Sequence, residues 1–134
     1  MALVAERKET VSSWTPELRE ELARLDRNGR VGCRLVSATE RVRVWQIHLA
    51  PGERLPFHRH VLDYFWTVLT AGRARSHHGD GRVEEFQYAA GETRHLHYGV
   101  GESMIHDLEN IGDAELIYTT VEFLESANPP LDLS

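Results

Sequence analysis

The sequence predicts an all-β fold with one short N-terminal helix. Three observations lead there. From residue 31 onward, short segments rich in Val, Ile, Tyr, Trp and Thr alternate with turn-forming residues. Helical periodicity occurs once, before that point. The length of 134 residues, with 41% hydrophobic and 27% charged, suits one globular domain able to bury roughly two-thirds of its unfolded surface. Many short strands at close spacing mean a sandwich, a barrel or a jelly roll.

The elements follow in order. Residues 1–13 show no pattern and read as loose chain or a short edge strand. A helix is predicted over about 16–27. Thr15 is an N-cap, Pro16 suits the first helical position, and Glu17, Glu20 and Glu21 favour the positive helix end. Leu18, Leu22 and Leu25 form one apolar stripe, and Asn28-Gly29 tolerates the positive φ that ends a helix. Strands are predicted at 31–37, 41–49, 55–60, 63–71, 73–78, 83–88, 93–97, 104–110 and 115–125. Ala50-Pro51-Gly52, Ala71-Gly72, Gly79-Asp80-Gly81, Ala90-Gly91, Gly99-Val100-Gly101 and Gly112-Asp113 punctuate them. Gly79-Asp80-Gly81 is the clearest hairpin tip. Asn128-Pro129-Pro130 ends regular structure. The expected organisation is an N-terminal arm and helix (1–30), a β-barrel domain (31–125) and a C-terminal tail (126–134).

Composition narrows the function classes. Fifteen Lys+Arg against 21 Asp+Glu give a net charge of −6, which argues against nucleic acid and anionic lipid as main partners. The single Cys33 excludes an intramolecular disulfide and a Cys-only metal site; it reads as a small core residue. No apolar run approaches the roughly 18 residues of a membrane helix. The opening MALVAERKETVSS has no signal-peptide apolar stretch, so a cytoplasmic protein is expected. No glycine-rich phosphate loop precedes a helix. Ser76 and Ser103 lack a nucleophile elbow, and Glu84-Glu85 reads as a charged strand start. A small molecule and a second copy of the chain remain as partners.

The unusual number is eight histidines. In a strand, His58 and His60 point to one face about 7 Å apart, so both imidazoles can reach one ion. The spacing alone is weak: His95-Leu96-His97 repeats it, and two solvated histidines fit it equally well. The context adds more. Gly52, five residues, His58-Arg59-His60, four residues, position 65, six residues and Gly72 follow one another. Farther on, His106 is followed four residues later by Asn110.

This arrangement resembles the two motifs of the cupins. Gly52, His58, His60 and Gly72 match the first motif; only His106 and Asn110 match the second, with Gly101 and Ser103 where that motif has Pro and Gly. The segment from Ala90 onward resembles small cupins grouped with a β-alanine degradation protein. The resemblance covers about 31–125. It implies a double-stranded β-helix, the cupin jelly roll, with a metal site near one mouth. His58, His60 and His106 would be the ligands of one divalent transition metal ion (Fe, Zn, Ni or Mn), to which neutral imidazole binds well. The motif's carboxylate position is Phe65, which cannot coordinate. Either the site is three-His, or Asp63 substitutes; Asp63 also fits a strand-start turn. Tyr64, of opposite parity to 65, is expected to face outward.

Three neutral ligands leave the charge of a divalent ion uncompensated and favour an anionic substrate. Three-His thiol dioxygenase-like cupins show this by resemblance and use an Arg for the substrate carboxylate. Arg43, Arg54, Arg59, Arg75 and Arg94 are available, each equally readable as a surface charge. His95 and His97 follow the rim segment Gly91-Glu92-Thr93 and are candidate substrate contacts or general bases, or surface histidines. His48 reads as structural, His77 and His78 as solvated. Trp45, Tyr64 and Trp66 form either an exposed aromatic face for a homodimer or ordinary inter-sheet core. The expected function is a metal-dependent oxygenase, or an isomerase or lyase, acting on a small anionic molecule. The alternatives are a non-catalytic small-molecule-binding or regulatory cupin and a structural subunit docking through the aromatic face.

Overall fold

A computed structural model describes residues 2–25 and 27–133. Its elements are β1 (Ala2–Lys8), a 3-10 turn (Val11–Ser13), α1 (Pro16–Ala23), β2 (Arg34–Ala38), β3 (Val42–Leu49), β4 (Arg54–His60), β5 (Tyr64–Val68), β6 (Gly72–His77), β7 (Arg82–Tyr88), β8 (Thr93–Leu96), β9 (Met104–Asn110) and β10 (Leu116–Phe123). They form two five-stranded antiparallel sheets. The first runs β1-β7-β6-β9-β4 and the second β2-β3-β10-β5-β8.

Alternation along the strands builds the core between the sheets. Ile47, Leu49, Val68, Leu116 and Tyr118 come from the second sheet, and Leu55, Ala74, Phe86, Tyr88 and Leu108 from the first. Trp45 is fully buried, Tyr64 is buried, and Trp66 packs edge-on against Tyr88 and Tyr118. The aromatic residues are therefore inter-sheet core, and they offer no outer face to a homodimer. Trp45 shares parity with Ile47 and Leu49 on β3, and Tyr64 and Trp66 with Val68 on β5; none of these core residues can face water without emptying the core.

The outer face of the first sheet is covered by the N-terminal segment. Trp14, Leu25, Phe57 and Val83 form a second apolar cluster, flanked by Val11, Leu18, Leu22 and Ile105. Thr15 caps α1 as expected, its hydroxyl accepting from Leu18 N–H at 3.3 Å. The helix ends at Ala23 instead of continuing to 27. Leu25 turns into the cluster, and Asn28 is drawn to β4: its side chain donates to the Phe57 carbonyl at 2.9 Å, and its carbonyl accepts from Arg59 N–H at 2.7 Å. Those tertiary bonds outweigh one more helical turn. Asp26 lies outside the described residues.

Residues 2–8 form a seven-residue edge strand on β7. The β6–β7 hairpin sits where Gly79-Asp80-Gly81 placed it. Gly81 has φ +94°, and a Cβ there would stand 2.1 Å from the Glu9 carbonyl oxygen, so only glycine fits. Cys33 is exposed rather than core; Val31 occupies the buried position instead. His48 is exposed, with Nε2 2.9 Å from Glu115, because Trp45, Ile47 and Leu49 take the inner face of β3.

Candidate metal centre

The site begins with a break in β4. Phe57 and His58 are consecutive and both buried, which a regular strand achieves only when both faces are covered. The register steps from Leu55 opposite Leu108 to His58 opposite His106. One extra residue is accommodated, so the inward parity changes from odd to even. Phe57 faces the α1 cluster, and His58 and His60 face the interior. Pro56 lies in the bulge, where its missing N–H is tolerated. Its carbonyl accepts from His58 Nδ1–H at 2.8 Å, which leaves Nε2 as the free lone pair.

His106 enters from β9, beside β4. The ring centroids of His58, His60 and His106 are 4.9, 4.7 and 5.1 Å apart pairwise. One ligating nitrogen from each lies within 4.8 Å of the others, and His60 Nε2 is 3.2 Å from His106 Nε2. Two nitrogens bound to one ion at about 2.1 Å stand about 3 Å apart. His60 is oriented differently from His58. Its Nδ1 has no hydrogen-bond partner among the described residues, and the ring stacks on Tyr64 at 4.1 Å and 14°.

Burial fixes the charge state. It lowers His58 to about 4, with the Pro56 carbonyl acting in the opposite sense. Burial also holds His60 and His106 well below the ordinary imidazole value, with neighbouring histidines adding to the effect. All three rings are neutral at pH 7, which is the ligating form. Three neutral rings turned on one point bring lone pairs together, an arrangement that a cation stabilises. The donor set therefore fits a metal ion.

Asp63 is not in this group. Its carboxylate accepts from Tyr98 N–H at 2.9 Å and sits 2.9 Å from His97 Nδ1. Tyr64 faces inward, contrary to expectation, because it shares parity with Trp66 and Val68. Phe65, the expected carboxylate position, lies on the outer face beside His95 and Phe123, at 5.3 and 6.0 Å between ring centroids. The interior neighbour of His60 is thus a phenol. Asn110 is also separate from the cluster. It donates to the Leu49 and Ala114 carbonyls at 2.9 and 2.8 Å and accepts from Gly112 N–H at 2.9 Å, closing the β9–β10 turn.

A cavity adjoins His106. Ser76, His78, Arg82, Glu84 and Arg94 line it, over aromatic walls that include Trp66 and Tyr88. His78 is buried, not solvated: its backbone bridges to His106, so the hairpin tip starts after it. Its Nε2 is 2.7 Å from Glu84 and its Nδ1 is 3.2 Å from Arg82. Burial and Arg82 both favour its neutral form. His77, on the outer face, is largely covered too. It lies edge-on to Trp14 and 3.0 Å from Asp107, which also takes Arg54 Nε–H at 2.7 Å. Arg54 in turn reaches Glu21 of α1, so this network fastens the helix behind the site.

The second His-x-His pair is not brought to the cavity. On β8, Arg94 and Leu96 line the cavity, while His95 is exposed and the His97 side chain is 78% exposed. Arg94 is the one arginine of the five singled out that lines the cavity beside His106. Arg43 reaches the Leu131 carbonyl, Arg59 the Ser103 hydroxyl, and Arg75 the carboxylates of Glu85 and Glu109. Sequence reasoning missed Arg82, the interior position of His78, and Glu122. Glu122 is 3% exposed, accepts from Trp45 Nε1–H at 2.7 Å, and is pushed up by burial to about 7. Its parity with Tyr118 and Thr120 was the available signal.

No protein-family model and no curated protein matches the chain. Among solved structures, it is similar to a cupin domain from Bordetella pertussis Tohama I. The two are 26% identical, with a TM-score of 0.59, over 73% of this chain and 96% of that one. It is also similar to a conserved protein with a double-stranded β-helix domain from Klebsiella pneumoniae subsp. pneumoniae MGH 78578. That match is 24% identical, with a TM-score of 0.55, over 80% of this chain and 90% of that one. The Bordetella likeness agrees with the two-sheet roll, and this chain belongs to the cupin superfamily.

Proposed function

We propose that this cupin holds one divalent transition metal ion through His58, His60 and His106, and that it acts on a small anionic organic molecule admitted to the adjoining cavity. The convergence of three neutral imidazoles from β4 and β9, with His58 and His60 buried and His106 partly buried, carries the reading. When bound, such an ion supplies Lewis-acid polarisation or, if redox-active, oxygenase chemistry. The protein's own part is positional. The Pro56 carbonyl fixes the His58 tautomer, and Tyr64 holds the plane of His60. With no carboxylate in the ligand group, an anionic substrate balances the charge. Oxygenase chemistry and isomerase or lyase chemistry are both compatible with this arrangement.

The missing carboxylate also favours a second reading, a cupin that binds its small molecule without converting it. One experiment separates the two. Protein purified anaerobically is loaded with Fe(II), Mn(II), Ni(II) or Zn(II), its metal is counted, and each form is offered a panel of small organic acids. Conversion of an acid, with or without dioxygen uptake, supports the enzyme. A rise in Tm with the acid recovered unchanged supports the binding module. Uptake of less than about a tenth of an equivalent of every metal removes the metal-dependent reading.

A further inference from the structure

The bulge that turns His58 inward frees both backbone polar groups of Phe57 from the β9 ladder, and the N-terminal segment takes them. The Phe57 N–H donates to Glu21 Oε2 of α1 at 2.9 Å, and the Phe57 carbonyl accepts from the Asn28 side chain at 2.9 Å. A buried backbone group without a partner costs about as much as a lost hydrogen bond, so a bulge at this place needs such partners. Glu21 is itself held. Arg54 grips it with two parallel bonds, Nη1 to Oε1 at 2.9 Å and Nη2 to Oε2 at 2.7 Å, and donates from Nε to Asp107 at 2.7 Å. Asp107 is fully buried, follows His106 in β9, and accepts from His77 N–H at 2.6 Å. One chain of charge-assisted bonds therefore joins α1 to both strands that carry the three histidines.

Two registers compete at this ladder. Leu55 stands opposite Leu108; continuing that register would set Phe57 opposite His106, with Phe57 pointing into the roll and His58 and His60 pointing out. The observed register sets His58 opposite His106 instead. The composition of β4 does not choose between the two, because Phe57 suits an interior position as well as a histidine does. The bonds from α1 do choose, since the bulged register is the one whose freed Phe57 N–H they satisfy. We propose that Glu21 is a positioning residue for the three-histidine centre, holding β4 in the register that aims His58 and His60 at His106. The register claim stands on the hydrogen bonds; its consequence for metal affinity rests on the metal reading above.

Two readouts test it. In metal-free protein, diethyl pyrocarbonate acylates accessible neutral imidazoles, and peptide mass mapping follows each ring. Wild type is expected to react at His95 and His97 and to protect His58 and His60. Glu21→Ala should speed reaction at His58 and His60 about tenfold or more. Glu21→Gln, which keeps an acceptor for the Phe57 N–H but gives up the charge held by Arg54, should speed it about threefold. Zinc affinity, read by competition with a chromophoric chelator, should fall about thirtyfold in Glu21→Ala and less in Glu21→Gln. Ile47→Val lowers Tm by thinning the core on β3, away from the bulge and α1, and should leave both readouts at wild-type values. Unchanged protection of His58 and His60 in Glu21→Ala overturns the proposal, as does an equal gain of reactivity in Ile47→Val. Should Glu21→Ala not fold, Glu21→Gln decides: protection equal to wild type overturns the proposal. A wild type that takes up no zinc, while Glu21→Ala still exposes His58 and His60, removes the metal reading and leaves the role of Glu21 standing.

Discussion

His58-Arg59-His60 and His95-Leu96-His97 carry the same local signal and meet opposite fates. The first pair is 1% and 2% exposed and faces a third histidine across the β4–β9 ladder. The second lies on the outer surface, His95 on β8 against Phe65 and His97 just beyond the strand against Asp63. Spacing tells only that two side chains share a strand face. Which face depends on what flanks them. On β4, the bulge at Pro56 turns the histidines inward while sending Phe57 under α1. On β8, Leu96 pairs with Tyr64 inside the roll and forces its neighbours out.

Ligand removal gives the largest expected effect on this contrast. His58→Ala or His106→Ala should weaken metal binding by about a thousandfold or more, read by competition with a chromophoric chelator. His95→Ala and His97→Ala should stay within about twofold. Equal losses across all four would erase the distinction between the pairs.

Acid titration comes next. In metal-free protein, burial depresses the folded-state pKa of His58 to about 4, below its unfolded value of 6.5. The unfolded chain then binds more protons between those values. Stability should rise with pH from about 4 to 6.5 and level off above, with His58 alone contributing roughly 3 kcal/mol. His60 and His106 act in the same direction. Urea unfolding across that range checks it. A flat profile in a Glu122→Gln background, where the opposing titration of that carboxyl is absent, would mean that these rings are hydrated.

Glu122 opposes that trend. Its folded pKa is raised to about 7, so its contribution is full below about 4.5 and is lost as pH rises through 7. Glu122→Gln keeps an acceptor for Trp45. It should add roughly 3 kcal/mol of stability at pH 8 and little at pH 4.5. A gain of the same size at both values would show that the carboxyl does not titrate in this window. The smallest effect concerns Tyr64. Tyr64→Ala should weaken metal binding roughly tenfold by freeing His60, and Tyr64→Phe, which keeps the stack, by about twofold.

Much of this was legible in the sequence. Strand alternation and turn residues placed β2 to β10, and the histidine pair with its upstream glycine and His106 marked the residues that meet. What escaped was parity. A bulge adds one residue without changing composition, and at positions 63–66 the two faces of β5 are both hydrophobic enough to be inside. Sequence pattern alone therefore does not distinguish an inward Tyr64 from an inward Phe65. His78 looked like a hairpin residue because its backbone bridge to His106 pairs residues 28 apart in sequence. Arg94 resembled the other arginines, and only the tertiary arrangement shows which of them lines the cavity beside His106.

The most direct test is diffraction from metal-loaded crystals on both sides of the metal's absorption edge. The expected result is one anomalous peak inside the roll, within about 2.0–2.3 Å of a ring nitrogen from each of His58, His60 and His106. A map with no peak there, or with the metal held by His95, His97 or Asp63 at the surface, would contradict the assignment.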